Sequence, residues 1–232
     1  MGGAMTLVVA VTRPEPQASG TATRLAERGY TPLLAPLLEA VPAGDPGAAD
    51  GIGALALTSR TAALVLAAHP RFHAIPVYAV GTATAGEARR AGFTAVADAA
   101  GTVDDLFARL LAVPGPVVHM AGREHTGDLV ERLAAAGRTA ERRIVYAMEP
   151  RALPATAAVD GVLLYSPRTA RLFAERAMAP PWSAAACIAM SQNVAEALPG
   201  RAATVAAAPT EAAMLEALAA ALPLTETLRG AP

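Results

Sequence analysis

Six apolar runs in this sequence stop abruptly at hydroxyl, amide, glycine or arginine residues, and those endings are where chemistry could sit. They read Thr12-Arg13, Thr58-Ser59-Arg60, Gly81-Thr82-Ala83-Thr84, Gly122-Arg123, Tyr165-Ser166-Pro167-Arg168 and Ser191-Gln192-Asn193. The set holds essentially no acid, histidine or cysteine, so it is a poor kit for general acid–base work. It suits an anionic ligand, which backbone N–H groups, hydroxyls and guanidinium forks can all grip. Ser59 is placed to N-cap a helix, its side-chain oxygen accepting from the first unpaired N–H groups. A helix start at the carboxyl end of a strand also carries a partial positive charge, favourable to carboxylate or phosphate. Any one of these Ser or Thr residues alone is an ordinary cap; the functional reading comes from six endings facing one cleft. The candidate ligand contacts are Arg13, Thr58, Ser59, Arg60, Gly81, Thr82, Thr84, Ser166, Arg168, Ser191, Gln192 and Asn193.

Composition removes several alternatives. All nineteen basic residues are arginine, which rules out a Schiff-base lysine and a Walker-type phosphate loop. The net charge of −1 leaves no electrostatic footprint for nucleic acid. Arg, Pro or Asp interrupts every apolar run well before the roughly 18 residues of a membrane span, and no signal peptide is recognisable. A cytoplasmic protein is expected. Cys187 has no partner for an internal disulfide and reads as a buried structural thiol. His69 and His73 are four apart, but Pro70 breaks the shared helix face a metal would need, so no metal site is expected. Gly81-Thr82-Ala83-Thr84-Ala85 lacks the spaced glycines of a dinucleotide fingerprint.

The elements that must position these residues alternate. Strand-like runs at 7–11, 52–57, 75–80, 94–97, 116–120, 159–165, 184–190 and 203–206 are each followed by a helical stretch. Those stretches end near 28, 68, 91, 111, 136, 177, 198 and 222. Short apolar strands alternating with helices imply βα units and parallel sheets. Two extended, proline-marked stretches, Tyr30–Val41 and Glu141–Arg151, interrupt the alternation and read as crossings between domains.

A repeat organises the whole. Ser59 corresponds to Ser166, Val80-Gly81 to Met190-Ser191, and Val117-Val118 to Val8-Val9. The N-terminal strand and helix therefore complete the second copy. The expected domains are a discontinuous lobe, 1–35 plus 152–222, and a continuous lobe, 42–140, with crossings at 36–41 and 141–151 and a tail at 223–232. The fold class is α/β: two similar flavodoxin-like or Rossmann-like parallel-sheet lobes, joined by two extended crossing strands around an interdomain cleft.

These residues also carry a family likeness. From Thr12-Arg13-Pro14 to Pro209-Thr210 the chain resembles uroporphyrinogen-III synthase. The matching motifs are Thr58-Ser59, Val77-Tyr78-Ala79-Val80-Gly81-Thr82-Ala83-Thr84-Ala85, Tyr146 and Ser166-Pro167-Arg168-Thr169-Ala170. The resemblance implies a cofactor-free, cyclising hydro-lyase acting on hydroxymethylbilane, a linear tetrapyrrole with eight carboxylates, and yielding uroporphyrinogen III. It implies Tyr146 as the side chain nearest the chemistry. It also implies a monomer, handed its substrate by the preceding pathway enzyme, with neither nucleic acid nor membrane as partner. Ser191-Gln192-Asn193 departs from the glycine and threonine of the first lobe, which weakens the transfer of contacts to those positions. The rival reading is a non-catalytic, two-lobed binder of tetrapyrroles or other polycarboxylate anions.

Overall fold

A computed structural model describes residues 6–124, 127–156 and 158–224. The start at Met1–Met5 and the expected tail from residue 225 onward lie outside them. The chain opens with strand β1 (Val8–Val11), helix α1 (Gln17–Glu27) and strands β2 (Thr31–Leu34) and β3 (Leu38–Pro42). Then come β4 (Ala54–Leu57), α2 (Arg60–Leu66), β5 (Val77–Ala79), α3 (Thr82–Arg90), β6 (Val96–Asp98) and α4 (Val103–Leu111). β7 (Val117–Gly122), α5 (Leu129–Ala135) and the long β8 (Ala140–Pro150) follow. β9 (Gly161–Leu164), α6 (Pro167–Arg176), β10 (Ala186–Ala189), α7 (Gln192–Glu196), β11 (Ala203–Val205) and α8 (Glu211–Ala221) complete it.

Two compact units result. One takes the described residues up to Glu39 and from Pro150 onward; the other takes Ala40–Glu149. The first holds a five-stranded sheet in the order β11-β10-β9-β1-β2, parallel throughout. The six-stranded sheet runs β3-β8-β7-β4-β5-β6. With β9 set against β4, the two orders agree: β10 with β5, β11 with β6, β1 with β7 and β2 with β8. This is the circularly permuted repeat, now visible as topology.

Side-chain alternation explains why each sheet is covered on both faces. In β4 the leucines Leu55 and Leu57 pack with Val118, Met120 and the α2 residues Ala62, Ala63 and Leu66. The alternate residues Ala54 and Ala56 meet Leu106 and Leu110 of α4 and Leu129 and Leu133 of α5. The other sheet divides likewise. Ala10, Val162 and Leu164 face Phe173 and Trp182, while Val9, Val11 and Leu163 face Leu25 of α1 and Met214 of α8.

Three expectations are reshaped. The Tyr30–Val41 stretch is two strands, not one, because it breaks around Pro36; β2 joins the first sheet and β3 edges the second. Both are edge strands, the position where Pro32 and Pro42 cost no ladder bond. The Glu141–Arg151 stretch is β8, paired in parallel with β7 from Val117↔Ala140 to Gly122↔Tyr146. The helix expected from Glu124 runs only over Leu129–Ala135. Gly127 has φ of +94°, left-handed backbone that a helix cannot continue through, and residues 125 and 126 lie outside the described set.

Candidate functional site

In the continuous unit, the carboxyl ends of β4, β5, β6 and β7 bring the candidates together. Ser59 caps α2 as its sequence position implied, its Oγ accepting from the Ala62 N–H at 3.0 Å. The same oxygen lies 3.1 Å from the Tyr146 hydroxyl, arriving from β8. Tyr146 reaches that position because the β7–β8 register shifts between Ala121 and Gly122, which sets Tyr146 opposite Gly122. Its ring then lies on the β7 backbone, where a side chain at Gly122 would collide with it. Thr58, next along the chain, is held at 3.0 Å from Nε2 of His119. His119 is a buried member of β7, one strand over, and escapes sequence reasoning because it sits inside an apolar run.

Beside this, Gly81 is the N-cap of α3 in extended backbone, without a capping side chain. Its α-carbon faces Gly101, so that a Cβ there would touch the Gly101 Cα at 3.4 Å. The loop over it includes Ala100 in left-handed backbone with φ of +72°, its N–H held by the Asp98 carboxylate at 2.9 Å. Thr82 is exposed and Thr84 is buried. Thr84 shares the buried face of α3 with Ala85 and Ala88. Arg60 is partly exposed at the first turn of α2.

In the discontinuous unit the equivalent serine behaves alike. Ser166 caps α6, accepting from the Thr169 N–H at 3.1 Å, with the Thr169 hydroxyl 2.8 Å away. Arg168 is partly exposed in the first turn. Ser191 starts α7 without using its side chain as a cap. Gln192 and Asn193 are exposed, and Gln192 donates to Glu196 at 3.1 Å. Thr12 is fully buried, donating across to the Leu163 carbonyl at 2.5 Å, and is a strand tie.

Arg13 has company that its strand end did not announce. Its guanidinium lies 4.4 Å from the centre of the Tyr165 ring and 3.9 Å from the Glu211 carboxylate. Glu211 also accepts from Thr21 and from Arg24, each at 2.5 Å. Burial alone would raise the Glu211 carboxyl, but the Thr21 hydroxyl and the two guanidinium groups outweigh it and hold it below the usual range. Burial pushes the Tyr165 phenol up, against the pull of the Arg13 charge. An acid therefore does stand at this strand end, delivered by a helix 190 residues away from Thr21 in sequence.

Cys187 is buried in β10, and burial raises its thiol, as suits an inert core residue. Among the described residues no cluster of three or more His, Cys, Asp and Glu could hold a metal ion, and no helix is long and apolar enough to cross a membrane. A cavity of about 370 Å³ opens in the continuous unit between Asp50, Pro116, Thr139 and Arg143. It lies at the amino ends of β4 and β7, away from the hydroxyl-rich rim. The cavity's Arg143 is committed to Glu141 and to the carbonyls of Pro46 and Ala48.

The family model for uroporphyrinogen-III synthase HemD matches residues 19–218. Among solved structures, the chain is similar to uroporphyrinogen-III synthetase from Helicobacter pylori, with 21% identity and a TM-score of 0.65 over 94% of this chain and 100% of that one. It is also similar to a mutant uroporphyrinogen III synthase from the extremely thermophilic bacterium Thermus thermophilus, with 20% identity and a TM-score of 0.49 over 94% of this chain and 99% of that one. The first of these shows a shared fold. No curated protein sequence matches the chain.

Proposed function

The chain belongs to the uroporphyrinogen-III synthase family, and from that premise we propose that Tyr146 is the residue that assists the chemistry. The enzyme is a lyase of tetrapyrrole synthesis: it closes hydroxymethylbilane to uroporphyrinogen III with loss of water and inversion of ring D. In the first step the hydroxymethyl C–O bond breaks. The electron pair that replaces it comes from the adjoining pyrrole nitrogen, and the oxygen leaves as water once it has taken a proton. The substrate supplies its own push, so the protein need only hold the chain folded and help that proton across. Holding ring D against the methylene carbon that this departure leaves electrophilic is an entropy-trap effect, worth several kcal/mol on the order of those seen for oriented intramolecular reactions. A phenol can donate to the leaving oxygen with no perturbed histidine or carboxylate at hand.

The observation that carries this reading is Tyr146 itself, a partly exposed residue whose hydroxyl is held 3.1 Å from Ser59 Oγ where β4 gives way to α2. Around it, Thr58, Arg60, Gly81 and Thr82 in the same unit are the proposed carboxylate contacts. Arg13, Ser166, Arg168, Ser191, Gln192 and Asn193 are their counterparts in the other unit. The hydroxyls, guanidinium and helix-start N–H groups of the Tyr146 rim support a polyanionic ligand there. The buried Thr84 is not retained among the contacts. We further propose a cytoplasmic monomer that receives its substrate from the preceding enzyme of the route.

The deciding experiment supplies fresh hydroxymethylbilane to the purified protein and separates the products. Uroporphyrinogen of the type III isomer is expected to dominate. Type I alone, the product of spontaneous closure, would refute the assignment and leave a binder of polycarboxylate tetrapyrroles.

A further inference from the structure

We infer that Ser59 and Gly122 are positioning residues for Tyr146, an inference that rests on the reading of Tyr146 as proton donor. Ser59 sits among the hydroxyls suited to gripping a carboxylate, yet its hydrogen-bonding capacity is already largely assigned. A serine hydroxyl has one proton and two lone pairs. The Ala62 N–H occupies one lone pair at 3.0 Å, and the Tyr146 oxygen stands 3.1 Å away on another side. Two arrangements are open. In one, Tyr146 donates to Ser59 and its proton is committed. In the other, Ser59 donates to Tyr146 and the phenol proton is free to go to the leaving oxygen.

The surroundings favour the second. An N–H donor at the positive end of α2 draws electron density from the Ser59 oxygen, making it a poorer acceptor and a better donor. Donation into the phenol oxygen leaves the phenol proton uncommitted. It also fixes the direction in which the free O–H points. Ser59 thus acts through Tyr146 rather than on the substrate.

Gly122 controls the other end of the same lever. Its backbone is not left-handed, so its role is space and not backbone freedom. A Cβ at Gly122 would stand 2.6 Å from Cζ, 2.8 Å from Cε2 and 2.9 Å from the hydroxyl oxygen of Tyr146. All three distances are shorter than real carbon contacts allow, and they fall on the reacting end of the ring. The register shift beside Gly122 brings the ring over this gap. The glycine accepts the ring and the serine orients its hydroxyl.

The test is a double-mutant cycle on type III product formation. Ser59→Gly keeps a tolerated helix cap and removes the hydroxyl. It is expected to lower kcat about 5–10-fold, roughly 1.0–1.4 kcal/mol in barrier, with KM nearly unchanged. Ser59→Thr should restore most of the rate, and Ser59→Gly should cost nothing further in a Tyr146→Phe background. Gly122→Ala should likewise slow the wild type and not the Tyr146→Phe enzyme. Rates are taken per folded protein, measured by thermal unfolding; if Gly122→Ala does not fold, the Ser59 cycle decides. Equal losses in both backgrounds, or a raised KM with unchanged kcat, would make Ser59 a substrate grip and overturn the inference. A slow Tyr146→Phe enzyme beside a wild-type Ser59→Gly rate would overturn it while sparing the role of Tyr146. A wild-type rate for Tyr146→Phe would remove that role, and this inference with it.

Discussion

The role proposed for Tyr146 asks little of a side chain, because the substrate itself expels the leaving oxygen. Its hydroxyl contact among the described residues is another hydroxyl, Ser59, and not a charged group. A donor of this kind contributes a modest factor, unlike an essential nucleophile. Tyr146→Phe is expected to reduce the initial rate of type III formation by at least about 10-fold, near 1.4 kcal/mol in barrier, with the fold intact. An unchanged rate would return Tyr146 to a supporting role on β8. Burial separates hydroxyls that the sequence writes alike. Thr84 and Thr12 are spelled like Thr82 and Thr58, but both are buried, Thr12 being tied to a neighbouring strand.

At the scale of elements, each unit relies on short helices whose first turns are closed by a side chain. Ser59, Thr102, Ser166 and Thr210 all accept from the N–H three residues on. Short helices cannot carry the nucleation cost alone, so caps and packing share the task. Ser166 adds a bond to the Thr169 hydroxyl at 2.8 Å, which leaves that buried group satisfied. Ser166→Ala is expected to cost about 1 kcal/mol and to lower the melting temperature by about 2–4 °C for a chain of this size. Calorimetry checks it; an unchanged transition would show that α6 is held by Phe173 and Ala170 packing alone.

For the whole molecule, the notable feature is that one unit is assembled from both ends of the chain. Glu211, at the start of α8, joins Thr21 and Arg24 of α1 and faces Arg13 beyond β1. This cluster ties the N-terminal βα unit to the last helix. It has a pH signature. The Glu211 carboxyl is held below its ordinary range when folded, so the stability it contributes is complete above the unfolded carboxylate value, about 4.3. That stability is lost as pH falls from there through the lower folded value. Exposure of the Glu211 side chain screens the effect and keeps it small. In urea titrations from neutral pH into the acid range, Glu211→Gln should be less stable at neutral pH and should lose less stability on acidification. Parallel acid limbs for the two proteins would show that the cluster is inert.

The permuted repeat, the parallel sheets, the strand-to-helix hydroxyl endings and the family likeness were all legible in the residues. They depend on local signals: apolar runs of strand length, serine at a helix start, glycine at a helix end. The two sheet orders correspond because a repeat forces both halves to solve the same packing problem. What the chain could not disclose by itself is long-range. Tyr146 meets Ser59 only because of a register shift beside Gly122, and nothing in the spelling of either strand announces that shift. Glu211 reaches Arg13 across most of the chain length, and His119 reaches Thr58 from inside an apolar strand. Whether a threonine points to solvent or to the core is set by the twist and pairing around it. Patterning along the chain therefore determined which elements exist and where their polar ends lie. Only tertiary pairing decided which of those ends hold one another, because contact energies between distant residues leave no periodic trace in sequence.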